Sequence, residues 1–360
     1  MTGPTRHRGS DSVGSPSSNV EGNLVVRKAD PLNCETPISE LIGGVITTNS
    51  RFYIRNHFHA PALDPARWRL EVRGLVKTPL LLGLPDLLKM PAKSIVATLE
   101  CAGNGRSLLD PPVDGEQWDL GAVSTAEWTG VLLAHILRRA GLARSAKEVV
   151  FRGADKTGSE GFERSLEVDE ALDSTVLLAY AMNGEPLPIQ HGYPLRVIVP
   201  GWYAVAGVKW LTEIEVIDHA FDGHFQTEKY VFMWEKDGQA TSEPVRHMRV
   251  RALITQPASD DTVELGGLAI RGLAWSGLAP IARVDVSVND GAWQQARMVG
   301  QVSRYSWQRW ELITRVEQAG RTVIRARATD RSGNTQPELP EWNRLGYGNN
   351  SIHQVIAKAH

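Results

Sequence analysis

The chain has 360 residues, 42% hydrophobic and 22% charged, the balance of a globular protein with material for two or three domains at roughly 100–200 residues each. A formal net charge of -2 gives no bulk electrostatic case for a nucleic acid or an anionic membrane, and the sequence holds no run of about 20 apolar residues that would span one. Cys34 and Cys101 are the only cysteines, too few for a disulfide framework or a cysteine-rich zinc site.

Residues 1–22, rich in Ser, Gly and Thr, predict a disordered tail without an apolar leader, and Arg6-His7-Arg8 is not a twin-arginine pair. The expected location is therefore cytoplasmic. From Leu24 to about Val216 the texture is mixed. Apolar runs at Ser94–Leu99, Val149–Phe151 and Leu195–Val199 predict buried strands. Trp128–Ala140 predicts a helix, with Val131, Leu132, His135, Ile136 and Leu137 on helical spacing and Gly141 just past its end. A second helix is predicted at Val168–Leu172, with acidic residues early in it. Dense punctuation by proline and glycine predicts an irregular α+β fold here, not a doubly wound sheet. Residues 217–247 read as a connecting stretch. After it, Arg249–Thr255, Leu268–Trp275, Ile281–Val288, Trp307–Ile313 and Thr322–Thr329 predict short strands. Asn289-Asp290-Gly291 and Asp330–Asn334 predict turns. Val284, Val286 and Val288 alternate with Asp285 and Ser287, which predicts one buried face. The expected organisation is a tail over 1–22, a catalytic domain with its connecting segment over 23–247, and an all-β immunoglobulin-like sandwich over 248–360.

The densest chemical signal is Ala97-Thr-Leu-Glu-Cys-Ala-Gly-Asn-Gly-Arg106, an extended run ending at a lone cysteine and a glycine-bearing loop. Gly103 and Gly105 would let backbone approach a ligand, and Arg106, folded back, would favour the Cys101 thiolate, a soft ligand for a heavy transition metal. The plainer reading is a structural cysteine beside a turn. Phe52–His59, read as a strand, would put Arg55, His57 and His59 on one face. Asn183–Arg196 adds His191 and Arg196, and Gly207–Trp210 adds Lys209. Singly these are ordinary polar residues; together they make a cationic pocket for a phosphorylated ligand.

Arg55-Asn-His57, Cys101-Ala-Gly-Asn-Gly-Arg106, Asn183-Gly-Glu-Pro-Leu-Pro188, His191-Gly-Tyr-Pro-Leu-Arg196, Val199-Pro-Gly201 and Val208-Lys-Trp-Leu211 resemble, in order, the successive motifs of the sulfite oxidase family. The resemblance runs from about Leu32 to Tyr230, and the following sandwich is similar to that family's dimerisation domain. It implies a molybdenum–molybdopterin cofactor, with Cys101 as the protein's ligand to the metal. It further implies that Arg55, Asn56, His57, Cys101, Asp155, His191, Arg196 and Lys209 line the cofactor site. Arg55 and Arg106 match positions facing an oxyanion substrate, and Tyr230 matches a tyrosine near the metal. Neither a haem nor a flavin module is expected, so electrons would pass to an external cytochrome or oxygen, and the chain is expected to form a homodimer.

Two departures bear on the substrate. The turn Gly277–Pro280 and the segment Ala204–Ala206 lack arginines that relatives efficient with sulfite often carry, so Pro280 and Ala206 are the positions where positive charge would be restored. Oxidation of sulfite to sulfate is the leading expectation. Another sulfur oxyanion, or reduction of an S- or N-oxide, keeps the cofactor. A Cys101–His191 hydrolase and an interaction protein built on the sandwich stand further off.

Overall fold

In the computed structural model, residues 23–236 and 239–360 are described; the tail expected over 1–22 lies outside them. The apolar runs of the first part become strands of two five-stranded sheets. One orders Glu185–Pro186, Leu177–Met182, Val123–Leu132 and Ala92–Glu100, with Arg196–Ile198 also pairing the second of these. The other orders Leu80–Leu82, Leu70–Gly74, Leu211–Ile217, Glu148–Thr157 and Glu160–Glu167. Trp68, Leu70, Phe151, Leu178, Val197 and Ile214 form the core of this part together with the helix Leu133–Ala140. This is an α+β arrangement, mostly sheet.

The helix expected over Trp128–Ala140 is a strand in its first half. Val123–Leu132 pairs on both edges, with Ala92–Glu100 and with Leu177–Met182. Thr129 and Val131 are β-branched, as a central strand favours. Gly130 is fixed by close approach: a Cβ there would lie 2.1 Å from the Leu178 carbonyl oxygen. Only Leu133–Ala140 is helical, burying Leu133, Ile136, Leu137 and Ala140 on one face. It ends at Gly141, whose φ of 74° suits a glycine and whose N–H reaches Leu137 O at 2.9 Å. The second helix forms at Val168–Ala171.

Phe52–His59 is not a strand. Ile54 makes only an isolated bridge to Cys34, and the chain then bends, so the predicted face does not exist. The stretch 217–247 is more than a connector: it holds the helix His224–Thr227 and the hairpin Val231–Lys236 with Gln239–Pro244.

The second part is a β-sandwich. One sheet orders Arg251–Gln256, Gly266–Trp275, Gln308–Val316 and Arg297–Val299; the other orders Thr262–Val263, His353–Ala359, Gly320–Asp330, Ile281–Val288 and Gln294–Gln295. Ile254, Ile270, Val284, Val286, Trp310 and Ile324 fill the space between. Both turns form, with Asn289 and Asp290 at φ 50° and 56°, as a primed hairpin turn requires. The single buried face expected of Ile281–Val288 is corrected: Asp285 and Ser287 are also buried, the first against Arg283 and Arg327, the second donating to Gly291 O at 2.8 Å.

A third apolar cluster joins the two parts. It gathers Leu41, Ala102, Tyr203, Phe225, Tyr230 and Met248 with Leu253, Leu273, Trp275 and Trp307. Among the described residues, no helix is long and apolar enough to cross a membrane.

Candidate active site

The strand Ala92–Glu100 delivers Cys101 to the seam between the two parts. The Cys101 N–H bonds Ala122 O at 2.9 Å, and the Asn104 N–H turns back to Cys101 O at 2.9 Å. The glycines of this loop make room for side chains, not for a ligand's approach to backbone. A Cβ on Gly103 would stand 2.6 Å from Arg106 Nη1, and one on Gly105, at φ 81°, would stand 2.8 Å from Arg251 Nη2. Arg106 therefore does fold back over the loop. Its Nη1 donates to Glu116 O at 2.9 Å, its Nη2 to Leu345 O at 3.1 Å, and its guanidinium lies over the Tyr347 ring at 4.9 Å.

Cys101 stands where two cavities meet. The inner one is lined by Arg55, His57, Asp155, Gln190, His191, Arg196, Lys209 and Tyr230. The outer one shares Arg55, His57, Cys101 and Tyr230 and adds Arg106, Glu116, Glu160, Lys229 and Tyr347. Asn56 lines neither; it braces the inner cavity from behind. Its Oδ1 accepts from Lys209 Nζ, and its Nδ2 donates to Gln190 Oε1 at 2.7 Å. His59 is apart from the site, exposed and 3.1 Å from Asp30 Oδ1.

Burial governs the electrostatics. It raises the Cys101 thiol, and the Arg55 guanidinium, the Gly103 amide and Arg106 pull downward without reversing it. Burial, then the Lys209 and Arg196 cations, push His191 down to about 3, so its imidazole is neutral. His57 is likewise held well below its usual range by burial and by Arg55. Its ring stacks on Phe162 at 5.3 Å, and its Nε2 lies 2.6 Å from the Tyr230 hydroxyl. Burial raises that phenol well above its usual range, which keeps it protonated. Tyr230 sits at φ 48°, rarely occupied by residues other than glycine, and is held there by its stack on Tyr347 at 5.0 Å and by the Val245 N–H on its carbonyl at 2.8 Å.

The inner cavity fits a phosphate-bearing anion. Arg55, Arg196 and Lys209 face a single carboxylate, Asp155. Burial and then Arg196 push the Lys209 ammonium well down, a cost that an anion offsets. Arg196 Nε and Asp155 Oδ1 are buried without a partner, so the wall's own groups do not satisfy one another. Among the described residues, no hydrogen bond joins Cys101 to His191, which removes the geometric support for a Cys–His hydrolase.

Sequence reasoning missed Gln190, Phe162, Glu116 and Tyr347. Gln190 was findable as the neighbour of His191. Tyr347 was not, because it comes from the sandwich, 246 positions after Cys101, on a loop with Gly346 and Gly348 at φ 64° and 66°. The two positions expected to take an arginine differ from expectation as well. Ala206 is in the apolar core, whereas Ala204 and Val205 line the inner cavity. Pro280 lines neither cavity, and Arg304 caps the carbonyls of Gly277 and Leu278 beside it at 3.2 and 2.8 Å.

Comparison with known proteins agrees with this geometry. Residues 57–225 match the family model described as oxidoreductase molybdopterin binding domain, and residues 242–360 match the Mo-co oxidoreductase dimerisation domain. The chain is 38% identical over 356 residues to mouse mitochondrial sulfite oxidase, covering 92% of this chain and 65% of that protein. It thus spans just under two thirds of that relative's length. Arabidopsis thaliana sulfite oxidase is 32% identical over 371 residues, covering 93% of this chain and 94% of that one. The sulfane dehydrogenase SoxCD from Paracoccus pantotrophus superposes with a TM-score of 0.83 at 30% identity, over 99% of this chain and 96% of that one. A cysteine at the junction of a cationic cavity and an arginine-bearing vestibule, in a chain with these relatives along its length, places the protein in the sulfite oxidase family of molybdopterin oxidoreductases.

Proposed function

We propose that this chain is a molybdopterin-dependent oxidoreductase that oxidises sulfite to sulfate and passes the electrons to an external acceptor, a cytochrome or oxygen. The observation that carries this reading is the position of Cys101 between an inner cavity rich in cations and an outer one bearing Arg55 and Arg106. Arg196, Lys209, His191 and His57 hold the cofactor, Asn56 and Gln190 brace Lys209, and Cys101 binds the metal. When bound, the cofactor supplies a metal centre that takes two electrons and exchanges an oxygen atom with the substrate.

The chain's own residues do the rest. Arg55 and Arg106 grip an oxyanion, since guanidiniums stay charged and donate two parallel hydrogen bonds. The Arg106 Nε, buried and without a partner, is an available donor. Tyr230, protonated and tethered to His57, offers a hydroxyl beside the thiol. Phe162, Phe225, Trp118 and Tyr347 wall the space and limit water, which strengthens those contacts. The sandwich pairs two chains, and the catalytic part ends near residue 247.

A specific observation favours a second substrate. Asp114, Glu116 and Glu160 bring carboxylates to the outer cavity, which suits a less charged sulfur compound than sulfite. The relative with the superposable fold is, by name, a sulfane dehydrogenase. The test is a set of titrations with sulfite, other sulfur oxyanions and S- and N-oxides on protein carrying about one molybdenum per chain, beside Cys101→Ser. Sulfite turnover that Cys101→Ser abolishes is expected. Fully metallated protein inert to sulfite would overturn the assignment.

A further inference from the structure

Glu100 is the last residue of its strand, bonded directly to Cys101, and its carboxylate is buried. Three donors hold it. Asn104 Nδ2 and Arg251 Nη1 each reach Oε1 at 3.0 Å, and Trp275 Nε1 reaches Oε2 at 2.9 Å. Arg251 and Trp275 are cross-strand partners in the sandwich, so two of the three donors come from the other part of the chain. Arg251 Nη1 also donates to Asn104 O at 3.3 Å, and Asn104 Oδ1 accepts from the Ala122 N–H at 3.1 Å. The same Ala122 carbonyl accepts from Cys101. A single carboxylate thus ties both ends of the Cys101–Asn104 turn to the sandwich.

A buried ion pair is a poor source of stability, because desolvating both charges offsets their attraction. Its directional bonds are another matter. We propose that Glu100 and Arg251 are positioning residues that fix where Cys101 presents its sulfur to the metal. The proposal rests on the reading of Cys101 as metal ligand. Glutamine at position 100 offers one acceptor atom and one donor group, so its amide N–H₂ must face a donor from Arg251, Asn104 or Trp275. The turn must then shift. Partners of a metal ligand, when removed, typically cost about 10–100-fold in affinity or activity.

The experiment compares wild type, Cys101→Ser, Glu100→Gln, Arg251→Met, the Glu100→Gln/Arg251→Met double variant and Trp275→Phe, all produced in a molybdopterin-competent host. Metal per chain, thermal midpoint and the paramagnetic resonance signature of the one-electron-reduced metal are measured on each. Both single charge variants should lose roughly 10–100-fold in turnover or metal content, with a shifted signature. The double variant, freed of an orphaned charge, should regain most of its thermal midpoint yet keep the shifted signature. Trp275→Phe, which leaves the ion pair in place, should shift it less and in the same direction. A signature lost in Cys101→Ser but unmoved in Glu100→Gln, Arg251→Met, the double variant and Trp275→Phe overturns the positioning role alone. One unmoved in Cys101→Ser overturns the ligand reading and the proposal with it.

Discussion

Ala204, Val205 and Ala206 are consecutive, yet only the first two line the inner cavity, while Ala206 packs in the core. An arginine at 206 therefore buries an unpaired charge, and Ala206→Arg should cost more than about 3 kcal/mol or prevent folding. Ala204→Lys instead sets its charge against the inner cavity assigned to the cofactor, so it should change molybdenum content per chain while leaving KM for sulfite near wild type; thermal unfolding, metal analysis and a sulfite titration check both. At Arg106 the expectation is the reverse. Arg106→Gln removes one oxyanion grip, worth about 2–5 kcal/mol where it leaves a buried charge unpaired, and should raise KM while depressing kcat. Gly103→Ala should reproduce part of that loss, because its Cβ would displace the guanidinium from 2.6 Å. At this scale the sequence was legible where a motif carried the residue, as for Cys101, His191 and Lys209. It was not legible where a residue's neighbour decides its role. Nothing in Gly-Asn-Gly says that its glycines accommodate arginines, or that Asn56 braces a lysine instead of lining the cavity.

Among elements, the sandwich strands were legible because short apolar runs are closed by turn chemistry, as where Ile281–Val288 meets Asn289-Asp290, although the alternation expected inside that run fails at the buried Asp285 and Ser287. Trp128–Ala140 was misread because a strand buried on both edges and a short helix both present continuous apolar residues, and only pairing separates them. The final strand, His353–Ala359, escaped notice because apolar Ile356 shares the outward side with Gln354 and Lys358, and two of the three inward apolar residues are small alanines. His353 gives that strand a testable property. Its Nδ1 accepts the Ile254 N–H at 2.9 Å, and burial, then Arg251, push its pKa down to about 3. Folding therefore favours the neutral ring. The stability this contributes is fully present above the unfolded value near 6.5 and is lost as pH falls from there towards about 3. One such proton is worth up to about 1.4 kcal/mol per pH unit. Denaturant unfolding between pH 7 and 4 should show His353→Gln with a flatter pH dependence than wild type, by close to one proton. Equal slopes would rule His353 out as a contributor.

For the molecule as a whole, the change of texture after Arg249 announced a second part but not how the two interlock. Trp275 and Trp307 are buried in the cluster that joins the two parts of one chain. Asn349 Nδ2 donates to Gly105 O at 2.8 Å, the Gly348 N–H donates to Ala102 O at 2.8 Å, and Tyr347 stacks on Tyr230. Contacts between residues so far apart in the chain leave no local periodicity to read. Tyr347→Leu should raise KM several-fold by releasing both Arg106 and Tyr230, whereas Tyr347→Phe, which keeps the ring, should stay near wild type; matched sulfite titrations decide it. The bonds from Leu345, Gly348, Asn349, Arg251 and Trp275 to the Cys101 loop also limit how such proteins can recombine. A chimera that keeps this loop and borrows a foreign sandwich leaves Glu100 without the Arg251 and Trp275 donors unless the new sandwich supplies their equivalents.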